Sequence, residues 1–562
     1  MIEILCKNNG VVKKYEKGIT LREIANDQNI TLKGEILGAN INNQLRELSY
    51  GIYENSRVSF VDITSTNGYM MYIRSLFFVL YKAIDDIYPK ASFHVEHSLP
   101  YGFYCEIENL HENSCENLCD ESLKKIKKRV EEIIEMDIPF IHQSIPTEEV
   151  IELYREKGFL EKVALFETRN QLFSSIYKLE DKINYFYNAL LPSTGYIKQY
   201  SIEPYCNGII VSAPRTPQDD VANGNNSAQK DAQMQLFEIF QEHKKWLEIL
   251  GVPYLGYLNK KVLSGESGRL IKISEALHEK KIAFIADKIK EHQSAKVVLI
   301  SGPSSSGKTT FSKRLGVHLQ VLGFQTQEIS LDNYFVDREH TPKDENGDYD
   351  FEALEALDIE FFNEQLAMLL SKENAEVEIP AFDFKTGKRT FKGDKIKMTP
   401  KTILIIEGIH ALNPSLTNKV ARKLKYNIFC SALTHITIDS QNLVKSTDNR
   451  MLRRIVRDYH YRGYSATETI RRWDSVRKGE NKYIFPYQAH ADIMFNSALL
   501  FELGVIKKVV EPLLQDVPQT SDEYLEAERL LKFLSYFKQI DATEIPPTSI
   551  LREFLGGSSF RY

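Results

Sequence analysis

Residues Val297-Val298-Leu299-Ile300-Ser301 lead without a break into Gly302-Pro303-Ser304-Ser305-Ser306-Gly307-Lys308-Thr309-Thr310. The apolar run reads as a buried strand. Phe311, Leu315, Leu319 and Leu322 then recur at helical spacing until Gly323, which predicts a helix with a glycine at its C-cap. Strand, glycine-rich loop and helix in this order form a P-loop. Glycines at 302 and 307 let several backbone N–H groups turn inward on phosphate oxygens, and the helix adds the positive end of its dipole. Lys308 is expected at the β and γ phosphates, Thr309 at Mg²⁺, and Thr310 as a supporting phosphate contact.

A loop of this kind commits the chain to an open α/β sheet, and other strands support that. Gln327 to Leu331 leads to Asp332-Asn333-Tyr334-Phe335, which puts a carboxylate at the carboxyl end of a strand, where ligands lie in such sheets. A hydroxyl attacking a γ-phosphate needs a proton acceptor that also aims it, and Asp332 is the candidate base. Thr402 to Gly408 is a continuous apolar run ending in Glu407. That pattern fits a buried parallel strand with a carboxylate for Mg²⁺. His435 to Asp439 is read as a further strand. Arg450, Arg453, Arg454, Arg457 and Arg462 form the densest basic run of an otherwise acidic chain. On a helix the first four share one face, and guanidinium forks suit the charge that develops on a transferred phosphoryl group.

The segment from Val297 to about Gln515 resembles the uridine kinase and phosphoribulokinase family through SGPSSSGKTT, SLDNYF, YDFEALEALD, IPAFDF and RMLRRIVRDYHYRG. The resemblance implies transfer of the ATP γ-phosphate to the 5′-hydroxyl of a nucleoside of the uridine or cytidine type. Asp332, Lys308 and Arg457 would be catalytic. Residues 302–310 and Arg462 would hold ATP. Tyr334, Asp350, Phe382, Phe384, Arg454 and Arg457 would hold the acceptor, with Asp350 on the ribose hydroxyls. Phe382 stands where the pyrimidine kinases carry tyrosine, Gly387 where they carry a base-contacting histidine, and Tyr464 where a further arginine lies. The family's sugar-phosphate and pantothenate kinases are therefore competing readings of the acceptor.

At 562 residues the chain needs several cores. Ile2–Cys6 and Val11–Tyr15 flank Asn8-Asn9-Gly10, a hairpin signal. Thr20-Leu21-Arg22-Glu23 fits a capping box, and strand candidates follow near 36–41 and 57–63. This order resembles the ubiquitin-like TGS module of threonyl-tRNA synthetases over residues 1–64. Gly68–Ala83, Ile87-Tyr88-Pro89 and Gly102-Phe103-Tyr104 extend the likeness to the α+β editing domain of the same synthetases, over 65–225. The family's two histidine pairs would fall on Arg74 and Phe78, and on Cys206 and Ile210. Only the cysteine matches a family ligand, so hydrolytic editing by imidazole chemistry is not expected. Through these modules the resemblance implies contact with tRNA or the ribosome, and a nucleotide-gated RNA sensor is the runner-up function. No N-K-x-D guanine signature follows the P-loop, and a switch has no need of Asp332 and the arginine run.

The expected architecture is multidomain α/β and α+β: 1–64 TGS-like, 65–225 editing-like, 226–290 a linker and helical connector, 291–515 the P-loop parallel-sheet kinase, and 516–562 a helical tail that only packs. Residues 213–233, poor in large apolar side chains, are expected as loop. His94-Val95-Glu96-His97 would split its imidazoles between the faces of a strand, and Cys115/Cys119 lack a second metal-ligand pair. A formal charge of −6 gives no global basic field for nucleic acid or membrane. Six scattered cysteines, no secretory signal and no apolar run near ~20 residues predict a cytoplasmic, membrane-free protein. Homo-oligomerisation stays open.

Overall fold

A computed structural model describes residues 1–562 except 100–101, 111–117, 215–226, 344–346, 348, 372–374, 384–385 and 562. Two compact units result. The first comprises Met1–Asn225, Lys244–Lys260 and Ile436–Val444; the second comprises Asn226–His243, Lys261–His435 and Lys445–Tyr562. The expected TGS-like and editing-like segments thus share one unit, the connector is divided between both, and the expected tail belongs to the second unit with the P-loop segment.

In the first unit the hairpin Ile2–Cys6/Val11–Tyr15 forms as expected, with Gly10 at φ +73° in the turn. Ile2–Cys6 also pairs in parallel with Ser56–Val61, and Gly38–Ile41 and Gln44–Glu47 complete a five-stranded sheet. The helix Leu21–Asp27 buries Leu21 and Ile24 against it. Its capping box is present: Glu23 N donates to Thr20 Oγ1 at 3.3 Å and Thr20 N to Glu23 Oε2 at 2.8 Å. A second, antiparallel sheet joins Ser201–Tyr205, Gly208–Ser212, Gly102–Glu108 and Ser92–Leu99. The helix Thr66–Ile87 is buried almost throughout within the second hydrophobic core, as its near-continuous apolar sequence requires.

Two segments distant in sequence complete this unit. Leu255 N donates to Thr437 O at 3.0 Å. Lys162 Nζ lies 3.1 Å from Asp439 Oδ1, the two side chains being 1% and 0% exposed. The strand expected at 435–439 does not form, and only isolated bridges occur at Thr437 and Asp439. The reason is local: Asp439 Oδ1 accepts from Gln441 N at 2.9 Å and Asn442 N at 3.0 Å, an Asx turn that curls the chain out of the extended form.

In the second unit five strands form one all-parallel sheet in the order Gln325–Ser330, Thr402–Glu407, Val297–Ser301, Lys425–Ser431, Ile493–Asn496. Val297–Ser301 is central and wholly buried. The sheet's third neighbour is therefore Lys425–Ser431 rather than 435–439. The helix Ser227–Ile249 begins inside the stretch expected as loop, because the Ala, Gln and Lys residues of 228–233 are good helix formers even without an apolar stripe. Ser267–Glu291 is the helix that feeds the P-loop strand.

Candidate active site

The P-loop follows its strand and opens the helix Lys308–Val321. Gly307 is the helix N-cap at φ +80°, a conformation that favours glycine. A Cβ on Gly302 would lie 1.8 Å from Cys430 O, so the loop can pass the neighbouring strand only as glycine. Lys308 Nζ donates to Pro303 O at 3.1 Å.

The carboxyl edge of the sheet gathers the acidic groups. Asp332 lies in the 3₁₀ turn Leu331–Tyr334 after its strand. Thr309 Oγ1 donates to Glu407 Oε1 at 3.3 Å, and Ser330 Oγ to the same atom at 2.9 Å. Burial first, and then the charge of Asp332, lifts Glu407 to about 7 against the pull of Lys308. These hard oxygens beside a desolvated carboxylate fit Mg²⁺. Among the described residues no group of three His, Cys, Asp or Glu could hold a metal by itself, so substrate phosphates would have to complete the shell, as is usual for this ion.

Glu352 belongs to the same cluster and was not singled out by sequence. Its carboxyl is lifted to about 7 by burial, opposed by Arg454, with the charges of Lys308 and Asp332 also bearing on it. Its Oε2 has no hydrogen-bond partner. Asp350, expected on the ribose hydroxyls, accepts from Glu352 N at 3.1 Å through Oδ1 and so shapes the turn that carries Glu352. Tyr334, expected at the acceptor, is 1% exposed, and its hydroxyl donates to Gln365 Oε1 at 2.7 Å. It supports the Asp332 turn from the core. Phe382 is half-buried against Phe335, ring centroids 5.5 Å apart. Phe384 lies outside the described residues. Gly387 sits at φ +70°, and the Arg338 side chain passes 2.8 Å from where its Cβ would be.

The arginines divide into two groups. Arg450 and Arg453 are 2% and 0% exposed and brace the P-loop from within the protein. Arg450 forms a two-pronged ion pair with Glu480 and donates to Ser304 O at 3.2 Å. Arg453 pairs with Glu502 and donates to Ser497 O at 2.9 Å. Arg454, Arg457 and Arg462 instead converge on Asp458: Arg454 Nε at 3.3 Å, Arg457 Nη2 at 2.8 Å and Arg462 Nε at 3.7 Å. Burial would raise Asp458, but Arg457, Arg454 and Arg462 together hold it below the usual carboxylate range. Crowding by Arg457, with burial second, lowers Arg462 to about 10. Arg454 also donates to Ser304 Oγ at 2.8 Å, joining this cluster to the loop. Asp458–Arg462 is a π-helical turn at the end of the helix Ser446–Arg457; such turns mark departures from regular helix and are frequent at functional sites.

The tail does more than pack. Glu553, in the short helix Arg552–Leu555, accepts from Thr310 N at 3.1 Å and from Thr310 Oγ1 at 2.7 Å.

In the first unit, Arg74 is 5% exposed and donates to Tyr187 OH at 3.3 Å, Phe78 is fully buried, and Cys206 is an exposed turn residue at φ +49°. His94 and His97 fall on opposite sides of their strand. Cys119 caps the helix Asp120–Glu135, and Cys115 lies outside the described residues.

Residues 297–500 match the model of the Phosphoribulokinase / Uridine kinase family. A uridine kinase of Staphylococcus aureus (strain JH9) is 31% identical over 199 residues, 35% of this chain and 86% of that relative, and the uridine kinase of strain Newman matches equally. Among solved structures, D-glycerate 3-kinase from Cryptococcus neoformans aligns at 13% identity and TM-score 0.28, covering 38% of this chain and 90% of that one. A Bacillus stearothermophilus chain described as a "Possible Uridine Kinase" aligns at 16% identity and TM-score 0.27, covering 39% and 98%.

Proposed function

Residues 297–500 make this chain a member of the phosphoribulokinase/uridine kinase family, and from that premise we propose that it transfers the γ-phosphate of ATP to the 5′-hydroxyl of a nucleoside, uridine or cytidine being the nearest fit. One observation carries the reading: a phosphate loop and the acceptor-side carboxylates Asp332 and Glu352 meet at the carboxyl edge of one parallel sheet.

On this reading Lys308 and the P-loop amides hold the β and γ phosphates. Bound Mg²⁺, held by Thr309 and Glu407, would neutralise phosphate charge. Asp332, in the turn at the carboxyl end of its strand, accepts the proton of the attacking hydroxyl. Arg454, Arg457 and Arg462 are preorganised by Asp458 and supply positive charge where the transferred group becomes more anionic. Glu352, rather than Asp350, is the carboxylate suited to acceptor hydroxyls. The half-buried Phe382 offers an apolar face for a base, while Arg338 beside Gly387 fills the place of a base-contacting side chain.

Purified protein with Mg-ATP and a panel of nucleosides, with sugar phosphates and pantothenate included, tests this. Transfer to a pyrimidine nucleoside is expected. Transfer only to a non-nucleoside hydroxyl would replace the acceptor while keeping the phosphotransfer.

For residues 1–225 we propose synthetase-type TGS and editing-like modules that do not hydrolyse aminoacyl-tRNA. The mixed sheet around the capped helix Leu21–Asp27 supports the first. The absence of imidazoles at Arg74, Phe78, Cys206 and Ile210 supports the second. Robust deacylation of mischarged tRNA would overturn it, and salt-dependent tRNA binding would assign the modules an RNA role.

A further inference from the structure

The first turn of any helix carries amide groups without partners inside the helix. In the P-loop helix these belong to Lys308, Thr309 and Thr310, and their ordinary ligand in such a loop is a phosphate oxygen. Here the Thr310 amide and hydroxyl both donate to one oxygen of Glu553, at 3.1 and 2.7 Å. A carboxylate oxygen thus takes two donors that the loop offers to phosphate.

The arrangement is built rather than incidental. Ile550 and Phe554, on either side of Glu553, are fully buried. The Ile550 side chain reaches to 2.5 Å from where a Cβ on Gly307 would be. The Arg453 guanidinium lies 5.1 Å from the centre of the Phe554 ring. Ser549 donates to buried Glu275, and Arg552 donates to Ala542 O at 3.0 Å and Ile545 O at 2.7 Å. The segment is therefore anchored on both sides of the carboxylate.

A comparison within the loop separates this contact from framework. Glu480 also accepts from a P-loop amide, Ser304 N at 3.1 Å, but its charge is matched by Arg450. The Glu553 carboxylate forms no ion pair among the described residues, and it accepts from the Thr310 amide and hydroxyl. It is an anion held at an anion site by the site's own donors.

We propose that the C-terminal segment is an internal competitor for the nucleotide: Glu553 occupies Thr310 donors that an ATP phosphate oxygen requires, so triphosphate binding must displace it. Phosphate and carboxylate repel and cannot share the same two donors. The proposal rests on the P-loop being the triphosphate site.

Equilibrium binding of Mg-ATP to the full chain, without any acceptor, tests it in wild type, Glu553→Gln, Glu553→Ala and Lys308→Ala. The dissociation constant should fall by about tenfold to a hundredfold in Glu553→Ala, the factor for removing one or two charge-assisted competitors, with Glu553→Gln between it and wild type. Glu553→Gln keeps the side chain's shape, so the comparison survives if the alanine variant folds poorly. Amide hydrogen exchange over 549–556 should quicken when saturating Mg-ATP is added to wild type. Equal affinity in wild type and Glu553→Gln, or a lowered melting temperature with unchanged affinity, would make Glu553 a helix cap and overturn the competition. Absence of ATP binding in every protein, indistinguishable from Lys308→Ala, would instead remove the triphosphate site itself.

Discussion

The Arg450–Glu480 pair offers a direct probe of how the phosphate loop is held. Both residues are buried, Arg450 at 2% and Glu480 at 0% exposure, and they meet in a two-pronged pair. Each also grips the same loop residue: Glu480 accepts from Ser304 N at 3.1 Å, and Arg450 donates to Ser304 O at 3.2 Å. Replacing Glu480 by Leu leaves a guanidinium buried without its counter-charge, and removing one partner of such a pair costs about 3–5 kcal/mol. Replacing both, as Arg450→Met with Glu480→Leu, removes the stranded charge and should recover most of that loss, because desolvating an ion pair consumes much of its attraction. Affinity should behave differently: the double variant still lacks both grips on Ser304, so ATP binding should stay weak while stability returns.

Urea unfolding can follow this through Trp473, which is 6% exposed and lies under the Arg450 guanidinium at 5.6 Å. Trp246→Phe isolates that signal, since the chain has two tryptophans. A Glu480→Leu cost below about 1 kcal/mol, the size of an exposed pair, would refute the reasoning. So would a double variant less stable than the single one.

In the first unit, Asp439→Ala strands buried Lys162 and should destabilise that unit by about 3–5 kcal/mol, with the loss read by proteolysis or hydrogen exchange of residues 436–444. Protonation should act on the kinase unit in two directions: the raised carboxyls of Glu352 and Glu407 favour the fold as the pH drops from about 7, while three buried histidines oppose it. Burial, with Arg314 second, pushes His278 down to about 3, and burial holds His410 and His435 at about 4. The unfolded chain binds protons at these histidines from about pH 6.5 downward while the folded chain does not, so stability falls by about 1.4 kcal/mol per pH unit per histidine. His278→Gln should flatten a urea-midpoint series at pH 7, 6 and 5, and an unchanged slope would contradict the burial argument. Thr20→Ala should cost about 1 kcal/mol through the lost cap, measured by hydrogen exchange of the helix Leu21–Asp27.

What could be read from the residues alone divides along locality. The P-loop, the Asn-Asn-Gly hairpin and the Thr20–Glu23 box are written in a few adjacent side chains, and each appears where the pattern put it. Arg450 and Arg454 look equivalent on a helical wheel, and only their distant partners separate them: Glu480 for the first, Asp458 and Ser304 for the second. Asp350 and Glu352 differ by two positions on one turn, and burial rather than residue type decides which carboxylate stands with Lys308 and Arg454. The strand Lys425–Ser431 was hidden by its charged, unpunctuated start, while 436–444 has strand-like composition but lies in the first unit. Glu553 meets Thr310 across 243 positions of sequence, beyond any pattern in the chain.

The most direct measurement is transfer of label from γ-labelled ATP to uridine and cytidine by wild type and Asp332→Asn, with ATP affinity measured alongside. Wild type should produce labelled nucleoside monophosphate. Asp332→Asn should bind ATP but lose about 10²–10⁴-fold in transfer, as expected when a positioned base is removed. Transfer undiminished in Asp332→Asn, or label reaching no nucleoside from wild type, would contradict the assignment of this site.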